Sequence, residues 1–249
     1  MSVGGSGSFS YTALSFFGAF TRVDAGSGAL PKLKVEVDFA NDPSGTTRDW
    51  TDITADVRSL SYTRSGRNDV LQRTSTGTLS MVLDNASGDY DPSNAASVYA
   101  PGPKRMRWIR VTAQWAGDAY PRWQGLVTSW AASWPQAGKD SVVSVTASDA
   151  LKVLNLTDIG GSVFPAQRTD ERVSLICSLV NLVAGVATGQ TDVVASGTIS
   201  PNTSALSHLQ DVEDTENGRL YADASAQIIF QDRHWRLTRS TTPAARTRP

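Results

Sequence analysis

Between Lys34 and Ala147 apolar and polar residues alternate repeatedly, with the period of two that marks half-buried strands. In the first such run Val35, Val37 and Phe39 share one face, and Lys34, Glu36 and Asp38 the other. Asn41-Asp42-Pro43-Ser44-Gly45 then predicts a turn. Trp50–Val57 reads as a short strand and bend, Leu60–Arg64 as a strand, and Gly66–Leu71 as a polar connection. The most regular stretch is Gly77–Pro92. Leu79, Met81 and Leu83 alternate with Thr78 and Ser80, and Asp84-Asn85-Ala86-Ser87-Gly88 stops the strand with turn formers. Tyr90 and Pro92 anchor its exit. After a loop over Asn94–Pro103, Met106–Trp115 is the longest strand candidate. Ile109, Val111, Ala113 and Trp115 face one way, and Trp108, Arg110, Thr112 and Gln114 the other. Ala116-Gly117-Asp118 predicts a hairpin turn into Ala119–Val127, and Ser141–Ala147 gives one more strand. Short strands at this spacing predict a β-barrel or sandwich.

The pattern changes after Ala147. Ser148 or Asp149 can cap a short helix over Ala150–Leu154. Asp158–Gln167, with Gly160, Gly161 and Pro165, reads as a linker. Thr169 can cap a helix running to about Val183, with Val173, Ile176, Val180 and Val183 on one side and Gly185 as its stop. Thr191–Ile199 is β-like. A second helix is predicted from Ser204 to Glu216, with Leu206, Leu209 and Val212 as its apolar face and Gly218 as breaker. A hairpin follows: Arg219–Ala222, a turn at Asp223–Ser225, and Gln227–Gln231. Trp235-Arg236-Leu237 suggests a further strand, and Thr241–Pro249 a linker or frayed tail. The expected class is mainly β with an α+β C-terminal part.

Composition narrows the function classes. Hydrophobic residues make up 40% of the 249 and charged residues 19%, enough for a real core. The formal net charge of −1 argues against a chain whose task is to wrap nucleic acid. With a single cysteine, Cys177, neither an intrachain disulfide nor a cysteine zinc site can form. No apolar run is long enough to predict a membrane span. Gly4–Ser8 reads as a flexible leader. Ser10–Phe20 reads as an arm or strand whose aromatics Tyr11, Phe16, Phe17 and Phe20 need a surface to cover, either this chain's own core or, the preferred reading, a neighbouring subunit.

Candidate chemistry is sparse. Asp84, Asn85, Asp89 and Asp91 form an acidic cluster, but the spacing departs from the calcium-loop order and a capped turn explains it, so no metal is expected. Lys104, Arg105, Arg107 and Arg110 beside Trp108 form a basic, aromatic stretch suited to a subunit interface or a solvated strand face. Five of the seven tryptophans (Trp108, Trp115, Trp123, Trp130 and Trp134) cluster here, as core or interface residues rather than a sugar platform. No G-x-S-x-G, H-E-x-x-H or phosphate loop is present, and His208 and His234 have no local partner that makes a triad visible. Asp211, Glu213, Asp214 and Glu216 read as a solvated helix face, and Cys177 as a buried thiol. No catalytic residue and no cofactor is expected.

The order of these motifs resembles the hub-type minor tail proteins of long-tailed bacteriophages, especially those of actinobacteria. The matching stretches are Trp50–Arg58, Gly77–Pro92, Arg107–Val111, Trp123–Val127, Ala147–Leu151, Ala205–Val212 and Glu216–Tyr221, within Lys34 to Arg233. The resemblance implies an antiparallel, tail-hub-like β-barrel followed by a two-helix plus hairpin subdomain. The expected divisions are an N-terminal arm at 1–33, the barrel at 34–157, the α+β subdomain at 158–240 and a linker or tail at 241–249. It further implies a non-enzymatic structural protein of the virion tail tip, assembled in the host cytoplasm. Such a protein forms a homo-oligomeric ring, a trimer or else a hexamer, between the tail tube and host-contact proteins. Its partners would be tube, tape-measure and spike or fibre proteins, with indirect contact to DNA in the lumen and no membrane insertion. Tyr11, Phe16, Phe17, Phe20, Arg105, Arg107, Trp108 and Arg110 are the candidate interface residues. The alternatives are a distal-tail adaptor ring and a carbohydrate-binding adhesin.

Overall fold

In the computed structural model, which describes residues 9–12, 30–45, 47–67, 72–134, 140–187 and 193–240, the chain divides into two compact units. The first takes in the described residues of 1–65, 76–150 and 223–226, and the second those of 66–75, 151–222 and 227–249.

The first unit is one antiparallel sheet. Its strands are β1 (Phe9–Thr12), β2 (Lys32–Asp38), β3 (Trp50–Asp52), β4 (Val57–Tyr62), β5 (Thr78–Asp84), β6 (Trp108–Trp115), β7 (Asp118–Ser133) and β8 (Val142–Asp149). Their order is β1-β4-β5-β8-β7-β6-β2-β3. The alternation in β5 is realised as read, with Leu79, Met81 and Leu83 all inside. A 3-10 turn at Thr54–Asp56 joins β3, at one end of the sheet, to β4, beside the other end. Such a short link forces the sheet to curl until its ends approach. Val35, Val37, Leu60, Tyr62, Ile109, Val111, Val143 and Val145 fill the concave side. The expected barrel is not closed: among the described residues no ladder joins the two ends. The reason is local. β3 covers only Glu36–Asp38 of β2, after which the chain turns off through Thr54–Asp56.

β7 runs on past Val127 to Ser133, which the alternation did not reveal. A register shift between Val127 and Ser129 inverts the phase. Trp123 and Val127 are buried before it, and Trp130 after it. Gly125 in this strand has no space for a side chain, since a Cβ would lie 2.2 Å from the Ser148 carbonyl oxygen. The β6–β7 turn uses Ala116 and Gly117 with φ of 52° and 92°, the left-handed pair that suits a tight hairpin. Tyr90 packs inside its own unit. Its ring stacks on Tyr99, its amide donates to Asn85 Oδ1 at 2.9 Å, and its carbonyl accepts from Trp130 Nε1 at 2.8 Å.

The second unit holds α1 (Leu151–Leu156), β9 (Val163–Phe164), β10 (Gln167–Arg168), α2 (Thr169–Leu179), β11 (Ala184–Val186), β12 (Val193–Val194), β13 (Gly197–Thr198), α3 (Ala205–Thr215), β14 (Arg219–Ala222), β15 (Ile228–Gln231) and α4 (Arg233–Ser240). β11 pairs parallel to β15, and β14 antiparallel to it. The helix predicted over Ser204–Glu216 is α3, and Ser204 caps it, its Oγ accepting from Ser207 N at 3.1 Å. Several expectations change. The supposed linker carries β9 and β10, paired to β13 and β12, and buries Ile159 and Phe164. α2 ends at Leu179, with Asn181 at φ 54°, so Gly185 is no stop and lies in β11 against Ile229. Trp235 lies in a helix and not a strand, because Asp232 Oδ1 accepts from Trp235 N at 2.6 Å and starts α4. Residues 241–249 lie outside the described residues.

The acidic run at the end of α3 is solvated only in part: Asp211 and Asp214 are exposed as expected, and the other two acids are not. Glu213 and Glu216 are buried, and fall four residues after Leu209 and Val212 on the same helix face. Glu213 accepts from Thr74 Oγ1 and from Leu220 N at 2.9 Å, with Arg67 Nε 3.6 Å away. Gln210 Nε2 donates to the Thr74 carbonyl at 2.7 Å. These contacts fasten Arg67 and Thr74 to α3 and β14. Burial pushes the Glu213 carboxyl above its ordinary range, against the pull of these donors.

His208 meets an arginine from α2. Its Nε2 lies 3.1 Å from Arg172 Nη1, and Arg172 also donates to Gln167 Oε1 and the Pro165 carbonyl while lying over the Phe164 ring. An arginine only donates, so Nε2 accepts and the imidazole is neutral. Burial lowers the His208 pKa first, and Arg172 lowers it further, against a smaller opposite pull from Asp211. The unfolded chain therefore takes up the proton first as pH falls. Stability is expected to be complete above about pH 6.5 and to decline below it until the folded ring titrates. Urea midpoints measured from about pH 8 to about pH 5 should show this decline, and His208→Gln should flatten it.

Candidate assembly interface

The open seam of the sheet uncovers an apolar cavity of ≈690 Å³ in the first unit. Leu33 and Val35 of β2, Val57, Leu60 and Tyr62 of β4, and Ala113 and Trp115 of β6 line it. Tyr120 and Arg122 of β7, with Pro31 and Thr54, complete the lining. Trp115 is 55% exposed and Tyr120 45%, so two aromatic rings stand half in solvent at its rim. On β2 the pairing with β3 begins only at Glu36, although Val35 is held by Thr54 Oγ1 and Ile53 N. On the other side of the seam β1 is the edge strand, with Phe9 opposite Tyr62, Ser10 opposite Ser61, Tyr11 opposite Leu60 and Thr12 opposite Ser59. An apolar hollow beside a partly unpaired edge and half-exposed aromatics is the chemistry of an association surface.

The sequence singled out other residues. Tyr11 lies in β1, directly across from a residue that lines the cavity. Phe16, Phe17 and Phe20 lie outside the described residues. Of the basic stretch, Arg105 is exposed. Arg107 is buried, donating to the Asn41 and Gly102 carbonyls, and acts as a strut within its own unit. Trp108 is buried with its Nε1 donating to the Pro43 carbonyl at 2.9 Å and Arg48 over its ring. Arg110 lies over Trp50 and donates to Glu36 Oε2 at 2.7 Å. Burial works to raise the Glu36 pKa, but the bonds from Arg110 and Lys34 outweigh it and hold the carboxyl below its ordinary range. Arg107, Trp108 and Arg110 thus have partners inside their own unit.

Sequence reasoning missed Leu33, Val57 and Tyr120 as a group, because the signal lies in the curl that brings β2, β4 and the β6–β7 hairpin around one hollow. Among the described residues no group of three or more His, Cys, Asp or Glu is placed to hold a metal ion. Asp84 accepts from Ala86 N at 2.9 Å and from Arg58 Nη2 at 2.9 Å, which lowers its pKa, and Asp91 accepts from Ser93 N at 2.9 Å.

No protein-family model matches the sequence, and no curated protein does. Solved structures do. The chain is similar to the 43 kDa tail protein of prophage MuSo2 from Shewanella oneidensis, at TM-score 0.52 and 13% identity, over 81% of this chain and 54% of that one. It is similar to the tail protein from Neisseria meningitidis MC58, at TM-score 0.51 and 10% identity, over 80% of this chain and 50% of that one. The chain therefore shares its fold with these two tail proteins. The chain spans about half the length of these two relatives in fold.

Proposed function

We propose that this chain is a structural, non-enzymatic component of a phage tail tip or baseplate. In this reading it is a hub-like subunit that forms a homo-oligomeric ring, a trimer or a hexamer, between the tail tube and host-contact proteins. It takes part there in host attachment and genome delivery. The observation that carries the reading is the fold shared with two tail proteins across four-fifths of the chain. The physical mechanism is burial of the open seam and its aromatic rim against neighbours, which removes unpaired strand edges and apolar surface from water. The test is direct. Peptides of this chain should be found by mass spectrometry in purified virions of the phage that encodes it, and immunogold should label the tail tip. Virions without the chain would overturn the reading.

The rim supplies a second test. Trp115→Ser combined with Tyr120→Ser changes two side chains that stand about half in solvent. The melting temperature is expected to move by no more than about 2–4 °C. Native mass spectrometry is expected to shift from the ring to the single chain.

A further inference from the structure

β1 is a strand whose owner is not dictated by its pairing. It touches the sheet through one neighbour, β4, along the four pairs from Phe9↔Tyr62 to Thr12↔Ser59. Any copy of Phe9–Thr12 placed there makes the same ladder. The tether is long: residues 13–29 separate Thr12 from Leu30. At about 3.3–3.6 Å per extended residue that connector can span roughly 50–60 Å. The sequence of the strand alternates aromatic and hydroxyl residues, Phe9-Ser10-Tyr11-Thr12. The aromatic positions stand opposite Tyr62 and Leu60, both of which line the apolar cavity, while Ser10 stands opposite the exposed Ser61. The register therefore sets the aromatic positions of this chain's own Phe9–Thr12 opposite two residues that line the cavity.

From these observations we propose that in the assembled protein the β4 edge is filled by Phe9–Thr12 of a second copy, so that each subunit lends its first strand to the next. The proposal rests on the ring reading above and names its joint. Exchange sacrifices no hydrogen bond of the ladder, and in a ring the neighbour's strand is presented at a local concentration comparable with the chain's own. A strand passed from each copy to the next is a head-to-tail contact, which closes when the rotation between copies closes.

The test uses the pair Ser10 and Ser61. Directly opposed residues of antiparallel strands lie about 4.5–5.5 Å apart at Cα, within disulfide range. Ser10→Cys and Ser61→Cys are placed on two full-length chains with different tags. The chains are co-expressed, oxidised and run on a non-reducing gel. The native Cys177 is buried, and burial pushes its thiol up to about 12, so wild type should give no cross-link and serves as control. The expected result is a band of two chains carrying both tags. The double variant S10C/S61C is expected to give a ladder whose highest rung counts the copies in the ring. A double variant that closes only within its own chain, with no mixed band from the single variants, overturns the proposal. Loss of cross-linking in both preparations overturns it as well. Presence of the chain in virions is read separately, so a failed exchange and a failed tail assignment give different results.

Discussion

Glu213→Ala is expected to lower the unfolding free energy by about 3–5 kcal/mol, a large fraction of the stability of a domain this size. The carboxylate is fully buried on α3 and collects Thr74 Oγ1, Leu220 N and the nearby Arg67 guanidinium. Truncation leaves the buried Leu220 amide without its acceptor, at about 1–3 kcal/mol, and takes the opposite charge from the buried Arg67 side chain, while Thr74 Oγ1 keeps the Leu220 carbonyl. Glu213→Gln keeps an acceptor oxygen and most of the shape, so it should cost roughly half as much. Urea unfolding followed by circular dichroism checks both. The effect should be seated in the 66–75 segment, whose amide protons should exchange faster in the alanine variant. An alanine variant with wild-type stability would mean that the segment is held by other contacts.

Trp130→Ala should cost about as much, roughly 3–5 kcal/mol, for a different reason. Trp130 sits edge-on to Phe39 at 5.9 Å between ring centres, lies 6.4 Å from Tyr90, and donates its indole hydrogen to the Tyr90 carbonyl. Alanine opens a cavity where three aromatic rings meet and leaves the carbonyl of a buried turn without its donor. Trp130→Phe separates the two effects. It retains an aromatic ring in the cluster and removes the hydrogen bond, so about 1–2 kcal/mol is expected. Calorimetry suits this pair, since the mutations themselves alter tryptophan fluorescence.

The elements most legible in advance were those whose residues decide their own surroundings. β5, the β6–β7 hairpin, α3 and the β14–β15 hairpin follow from alternation, turn chemistry and helical period within a few residues. The errors came where a distant contact overrode the local signal or a local cap went unread. The Val127–Ser129 bulge inverts the phase of β7 and hides Trp130 from a pattern search. Asp232 starts a helix where Trp235 and Leu237 suggested a strand. Glu213 and Glu216 have the spacing of core positions, and only the donors arriving from 66–75 and β14 make a buried Glu213 tolerable. The candidate site followed the same division. The basic stretch was visible as a cluster, but Asn41, Gly102, Pro43 and Glu36 take up Arg107, Trp108 and Arg110.

By itself, then, the amino-acid order determined a mainly β chain with an α+β C-terminal part, and where most strands start and stop. Those properties are set by neighbours in sequence, through side-chain period, turn residues and caps. Tertiary structure alone decided that the sheet curls without closing, that its seam exposes an apolar cavity, and that Tyr11 stands opposite Leu60 at its edge. Each of these depends on strands far apart in the chain meeting in one register, which no local preference specifies.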